Sequence, residues 1–455
     1  MKLFDWRWFV VSSVMLAAAQ AANAQTRPQY GGVLHVAMRA APASLDPADS
    51  TQPDSFARRS VSMLMFDTLV TMDENGRVQP SLATAWQAVP GSQRWQFRIR
   101  HGVMFHDQTA LSPEIAAASL RTANPSWNVV ADADSIFIDS ANPLLAEMAL
   151  ARNAIVKRPA DNKPSGTGPF QVVDWQPGKK LTLAAEENCW RGRPFFDAIE
   201  IEMGESFRDQ MTALELGKAD LVEVAPEQTH RISQDGRHLE SSAPVELLAL
   251  LFARDAASPE EKLLREALAW SVERGSIRSV LLQGAGQAAA SIVPNWMSGY
   301  GFVFPTDADL QRARQVRAQV RTIPTWTLGY DGNDPLARLL AERVALNARD
   351  AGLLLQPSSA TKAELRLARI PLASPDSWIA LAGVAAVAGL PTGKNQGGGV
   401  EDLYAAEMAL LAAQRVIPLF HLPVSYASSS ALKNWTLRPD GSWSVADAWL
   451  GNGKQ

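Results

Sequence analysis

The side chains whose types could do chemistry are few in this chain and sit far apart. Cys189 is the single cysteine, and no motif of the kind that activates a thiol nucleophile surrounds it. There is no G-x-S-x-G elbow and no H-E-x-x-H helix. The adjacent acids Glu186-Glu187 and Glu260-Glu261 are neighbours in sequence, and the second pair fits the first turn of a helix, where the dipole favours negative charge. His101 and His106 flank a predicted turn at a spacing that could serve a metal, but His35, His230, His238 and His421 are scattered and add no ligand cluster. These spacings speak against a hydrolase and against a bare-metal site, and no cofactor is implied.

The bulk properties bound what can position such residues. The chain has 455 residues, 47% hydrophobic and 20% charged, which is too long for one ordinary core and predicts two or three lobes. Net charge is −4 and no long like-charge run occurs, so a nucleic-acid footprint is not expected. Residues 1–24 read as a signal peptide: Lys2 and Arg7 are basic, Trp8 to Ala19 is largely apolar, and Ala22-Asn23-Ala24 is a small-x-small cleavage site. The apolar run falls short of the roughly 20 residues that span a bilayer. No cysteine at the cleavage site can take a lipid, and one thiol forms no internal disulfide. The expected product is exported, soluble and periplasmic.

Short strand-like runs alternate with capped helices. A helix is predicted over Ser206 to Leu216, with Ser206 and Asp209 as its cap and Gly217 as its stop. A second begins at Ser258-Pro259-Glu260-Glu261 and runs to Gly275. A third spans Asp334 to Ala351, between a strand at Thr325 to Tyr330 and another from Leu353, which makes a βαβ unit. A fourth covers Glu401 to Gln414. Ala380 to Leu390 fits a buried helix, and Pro391 to Gly399 is a loop by composition. The fold class is α/β.

Several motifs then line up in order. Gly32-Val33-Leu34-His35-Val36-Ala37 leads to Ala43-Ser44-Leu45-Asp46-Pro47, Phe66-Asp67-Thr68-Leu69-Val70 and Phe105-His106-Asp107. Gly166-Thr167-Gly168-Pro169-Phe170 follows, its glycines read as allowing a tight turn with unusual backbone angles. Asn188-Cys189-Trp190-Arg191-Gly192-Arg193-Pro194, Leu264-Arg265-Glu266-Ala267-Leu268 and Ile417-Pro418-Leu419-Phe420 complete the series. Together they resemble the family 5 solute-binding proteins of ABC importers, the binders of dipeptides, oligopeptides and nickel complexes.

The resemblance implies a two-lobed periplasmic binding protein (class II-like, cluster C) with an extra subdomain inserted in lobe one. It implies lobe one at 28–60, 160–252 and 420–455, the inserted subdomain at 61–159 and lobe two at 253–419. It implies a monomer that holds a peptide-like or other small organic solute between its lobes and hands it to an inner-membrane ABC permease. An organic metal chelate, or a sensory role without transport, are the alternatives. Ligand contacts are expected at Ser44, Leu45 and Asp46, at Asp376 and Trp378, and at Phe420, His421 and Tyr426. Asp376 has a second reading as the cap of the following helix. The family's amine-holding aspartate falls at Pro371 here, which cannot ion-pair.

Overall fold

The computed structural model describes residues 27–451, apart from 74–75, 91, 141–144, 159–163, 235–236, 302, 361, 373 and 392–398. The expected signal peptide lies outside the described residues, as does most of the Pro391–Gly399 loop.

Capping side chains set the helix starts. Ser206 and Ser258 accept through Oγ from Asp209 N and Glu261 N. Asp334 accepts through Oδ1 from Leu336 N and Ala337 N. The helices that follow are Phe207–Glu215, Pro259–Ser271 and Pro335–Asp350, and Gly352, at φ +80°, turns the chain out of the last. The helix predicted to run from Ser258 to Gly275 is two helices. The first ends at Ser271, Val272 is extended, and Gly275 lies inside Arg274–Val280. The break buries Val272 and swings the Arg274 guanidinium inward, where it donates to the carbonyls of Ala289 and Pro418.

One sheet runs through most of the molecule. Its order is Leu354–Ser358, Thr325–Gly329, Leu365–Pro371, His238–Phe252, Val416–Ser428, Leu221–Val224, Val33–Met38, Ala198–Met203, Lys180–Ala185 and Phe170–Gln176. Thr325–Gly329 and Leu354–Ser358 are parallel, as a βαβ crossover through Pro335–Asp350 requires. Apolar side chains cover both faces at either end of this sheet, so the core is divided. One part gathers Leu34, Met65, Phe170, Phe196 and Trp443, the other Leu250, Phe252, Leu328 and Val344.

Two long strands, His238–Phe252 and Val416–Ser428, belong to both halves. Their first pairings, His238 with Ser428 through Ser241 with Ser425, lie in the half with the chain start, and Glu246 with Leu422 through Leu251 with Val416 lie in the other. Between these ladders the register slips, and Pro244 faces Pro423. Neither proline has an N–H to give the ladder. The Pro244 carbonyl instead accepts from Trp296 Nε1 at 2.8 Å, and Ser242 Oγ accepts from Val424 N at 3.0 Å.

A separate four-stranded antiparallel sheet, Ala83–Ala88, Arg94–Ile99, Ser135–Asp139 and Asn128–Asp132 in that order, packs with the helix Pro113–Ala123 around its own core of Leu82, Phe97, Leu120 and Ile138. It is fastened to the large sheet at buried Asp67. That carboxylate accepts from Thr167 Oγ1 and Trp190 Nε1, each at 2.9 Å, and from Arg191. Two of the motifs in the sequence thus meet at one carboxylate. The glycines of the first have no positive φ; they are needed for close approach. A Cβ on Gly166 would lie 1.9 Å from the Met65 carbonyl oxygen, and one on Gly168 would lie 2.7 Å from that of Leu64.

His421, on the return strand, is buried, with Nε2 3.1 Å from the Ile292 carbonyl. Burial pushes its imidazole down to about 4 from 6.5. The unfolded chain therefore takes up a proton as pH falls below 6.5 while the folded chain does not until about 4, so stability is lost across that window. The parent is expected to lose about 3 kcal/mol more than His421→Gln between neutral pH and about pH 4. The buried carboxylates are common to both proteins and cancel in the difference. Urea midpoints at the two pH values measure it, and parallel curves would refute it.

Candidate ligand cleft

A cavity of about 420 Å³ lies between the two halves, over the crossing strands. Its walls come from strand ends and from the turns just beyond them. Arg39 follows the first strand, Glu223 sits on Leu221–Val224, Asp331 and Asp334 follow Thr325–Gly329, and Arg369 lies near the end of Leu365–Pro371. This is the edge at which open α/β sheets take ligands.

The charges are wired across the gap. Arg39 Nη2 lies 2.5 Å from Asp331 Oδ2, an ion pair that joins one lobe to the other, and Arg39 Nη1 is 3.7 Å from Asp334. The same Asp334 Oδ2 is 3.8 Å from Arg369, whose Nε and Nη2 both donate to Glu246 Oε2, at 2.8 and 2.6 Å. Burial works against the Arg369 charge, but Glu246, Asp334 and Glu223 outweigh it and hold the guanidinium above its ordinary value. Burial pushes the Glu223 carboxyl up, although the Arg39 backbone N–H and Gln210 Nε2 donate to it. Glu227 is raised by burial and by Asp334. Apolar side chains, among them Phe56, Leu282 and Leu422, fill the rest of the wall.

None of the eight contacts expected from sequence lines this cavity. Asp46 is held by Arg158 at 2.6 and 2.7 Å, beside a separate hollow that Ser44 and Leu45 also border. Asp376 caps the helix Ser377–Ala388 through bonds from Trp378 N and Ile379 N, and Trp378 packs against that helix's own core. Phe420 and Tyr426 are core residues of different lobes, and His421 points at the Ile292 carbonyl. His106 Nε2 lies 2.9 Å from the Gly168 carbonyl, and among the described residues no group of His, Cys, Asp and Glu could hold a metal ion. Cys189 is buried, which raises its thiol.

Pro371 does line the cleft, beside an acidic neighbour across the ladder. Glu246 stands opposite Pro371 in antiparallel register. Opposite residues present their side chains on the same face at the same level. A carboxylate therefore stands beside Pro371 on the adjacent strand, where Arg369 holds it.

These features define a two-lobed α/β binding protein whose ligand site is an interlobe cleft. A family model for bacterial extracellular solute-binding proteins, family 5 (middle region), matches residues 133–370, just over half the chain. The chain belongs to that family. It is 21% identical over 371 residues to the probable D,D-dipeptide-binding periplasmic protein DdpA of Escherichia coli K12, covering 73% of this chain and 71% of DdpA. Its fold matches NikA of Staphylococcus aureus, solved with Ni(L-His)2, at a TM-score of 0.77 and 16% identity over 90% of this chain and 97% of NikA. It matches AgaA from A. tumefaciens R10, solved with agropinic acid, equally at 0.77 and 16%, over 93% and 99%. Among the described residues no helix is long and apolar enough to cross a membrane.

Proposed function

We propose that this chain is the exported, monomeric solute-capturing component of an ABC importer. It takes a small organic solute, peptide-like or a metal chelate, into the interlobe cleft and passes it unchanged to an inner-membrane permease. The site is formed by Arg39, Glu223, Glu246, Asp331, Asp334 and Arg369. The observation that carries this reading is the Arg39–Asp331 pair, which spans the gap between lobes. A solute with charged ends can take over either partner, so closure and binding become one event. We take the lobes as 28–60, 160–252 and 420–455 against 253–419, with 61–159 inserted, the strands His238–Phe252 and Val416–Ser428 being shared between them and the Pro244–Pro423 crossing serving as the turning point. The names of relatives such as DdpA describe binding.

Native mass spectrometry of the purified protein, followed by release and identification of any bound species, tests this reading. A single small solute released on unfolding is expected, and adding it back should reduce the radius of gyration in solution scattering. Protein that carries no solute and whose scattering no small organic compound alters would count against capture.

A further inference from the structure

The segment from Gln287 to Tyr300 is tied to lobe two at both ends and in the middle. Gln287 and Ala288 pair with His421 and Phe420, and Ala289 N donates to the Leu419 carbonyl at 2.9 Å. The buried Glu407 carboxylate then accepts from Ile292 N, Val293 N and Tyr300 Oη. Between Val293 and Tyr300 the chain makes one short helical turn, Asn295–Ser298, which carries Trp296. That residue is 44% exposed and is no part of the cavity wall, yet its Nε1–H goes to the Pro244 carbonyl.

Pro244 is where the strand passes from one half to the other. As far as Ser241 it is paired on the lobe-one side, and from Val245 it is held on the lobe-two side, where Leu372 N donates to the Val245 carbonyl at 2.8 Å. The bond between Ser242 and Val424 joins the two crossing strands to each other and can turn with them. The Trp296 bond reaches the crossing from outside. It fixes the plane of the Pro244–Val245 peptide to lobe two, while the proline ring fixes the φ of Pro244. Hydrogen bonds weaken steeply as their angle departs from straight, so a bend that rotates this peptide gives the bond up. We infer that Trp296 is a positioning residue for closure, holding the crossing at the angle that brings the lobes together. The lobes already touch through Arg39 and Asp331, so freedom gained at the crossing goes into opening. Trp296 thereby sets the closed fraction of the free protein, and with it the affinity of a cleft it does not touch.

Single-molecule energy transfer, on protein first stripped of solute by unfolding and refolding, tests this. The dyes sit on Val173→Cys and Gln311→Cys, one exposed position on each lobe, and Cys189→Ser removes the native thiol. Trp296→Phe keeps an aromatic ring and deletes the donor. It should raise the ratio of open to closed molecules about three- to tenfold, the worth of one hydrogen bond. Its denaturation midpoint should stay close to the parent's, because the residue is exposed. Arg39→Gln, which breaks the contact between lobes, supplies the reference for an opened protein. Val303→Ala, an exposed apolar residue a few positions further on, is the control and should leave the ratio unchanged. A Trp296→Phe ratio equal to the parent's, whether or not Arg39→Gln opens the protein, would overturn the inference and leave solute capture standing. An equal shift from Val303→Ala would also overturn it.

Discussion

Gly166→Ala is expected to cost at least about 3 kcal/mol and to remove most soluble protein. The new methyl carbon would stand 1.9 Å from the Met65 carbonyl oxygen and 2.5 Å from the Phe66 ring, and neither can retreat. Met65 ends the helix Phe56–Met65, Leu64, Met65 and the following Phe66 are all core, and the Met65 carbonyl already accepts from Gly168 N at 3.0 Å. Moving it also strains Asp67, the next residue but one, where Thr167, Trp190 and Arg191 converge. Thr167→Ser, which keeps the hydroxyl, is the control and should stay close to the parent. A Gly166→Ala protein with the parent's denaturation midpoint would show that the close approach is not real.

Arg369→Ala has the second largest expected effect, about 3–5 kcal/mol of lost stability. Glu246 is one-tenth exposed and receives both of its side-chain hydrogen bonds from this guanidinium. Without it the carboxylate stays buried beside Asp334 and Glu223 with nothing to offset its charge. Arg369→Met combined with Glu246→Gln removes both charges and should regain most of the loss, so the two changes are far from additive. Denaturant titration of the single and double variants measures this. A single variant as stable as the parent would mean that solvent, and not Arg369, satisfies Glu246.

Much of the fold could be read from the chain because local chemistry specified it. Ser206, Ser258, Asp334 and Asp376 are capping residues by type and place, and each accepts bonds from the first turn of a helix. Thr325 to Tyr330 reads as a strand, and Thr325–Gly329 is one. The cleft was far less legible. Glu246 and Pro371 are far apart in sequence and meet only through strand register, which no local pattern encodes. Asp334 caps its helix through one oxygen, yet its second oxygen faces the guanidiniums of the cleft. One available signal was the placement of Arg39 and Asp331 just beyond strand ends, where α/β sheets take their ligands. Gly166 and Gly168 were recognisable as constrained, but the constraint is a neighbouring helix and not a turn angle.

The facing prolines of the two crossing strands act like a score line in card. The rows from His238 to Ser241 and from Glu246 to Leu248 are laced together on either side of it, so bending is least costly along that line. The spacing of the walls then reduces to a single coordinate. Whatever lies between them has its width converted into an angle, and a permease that reads that angle need not touch the cargo to know it is there.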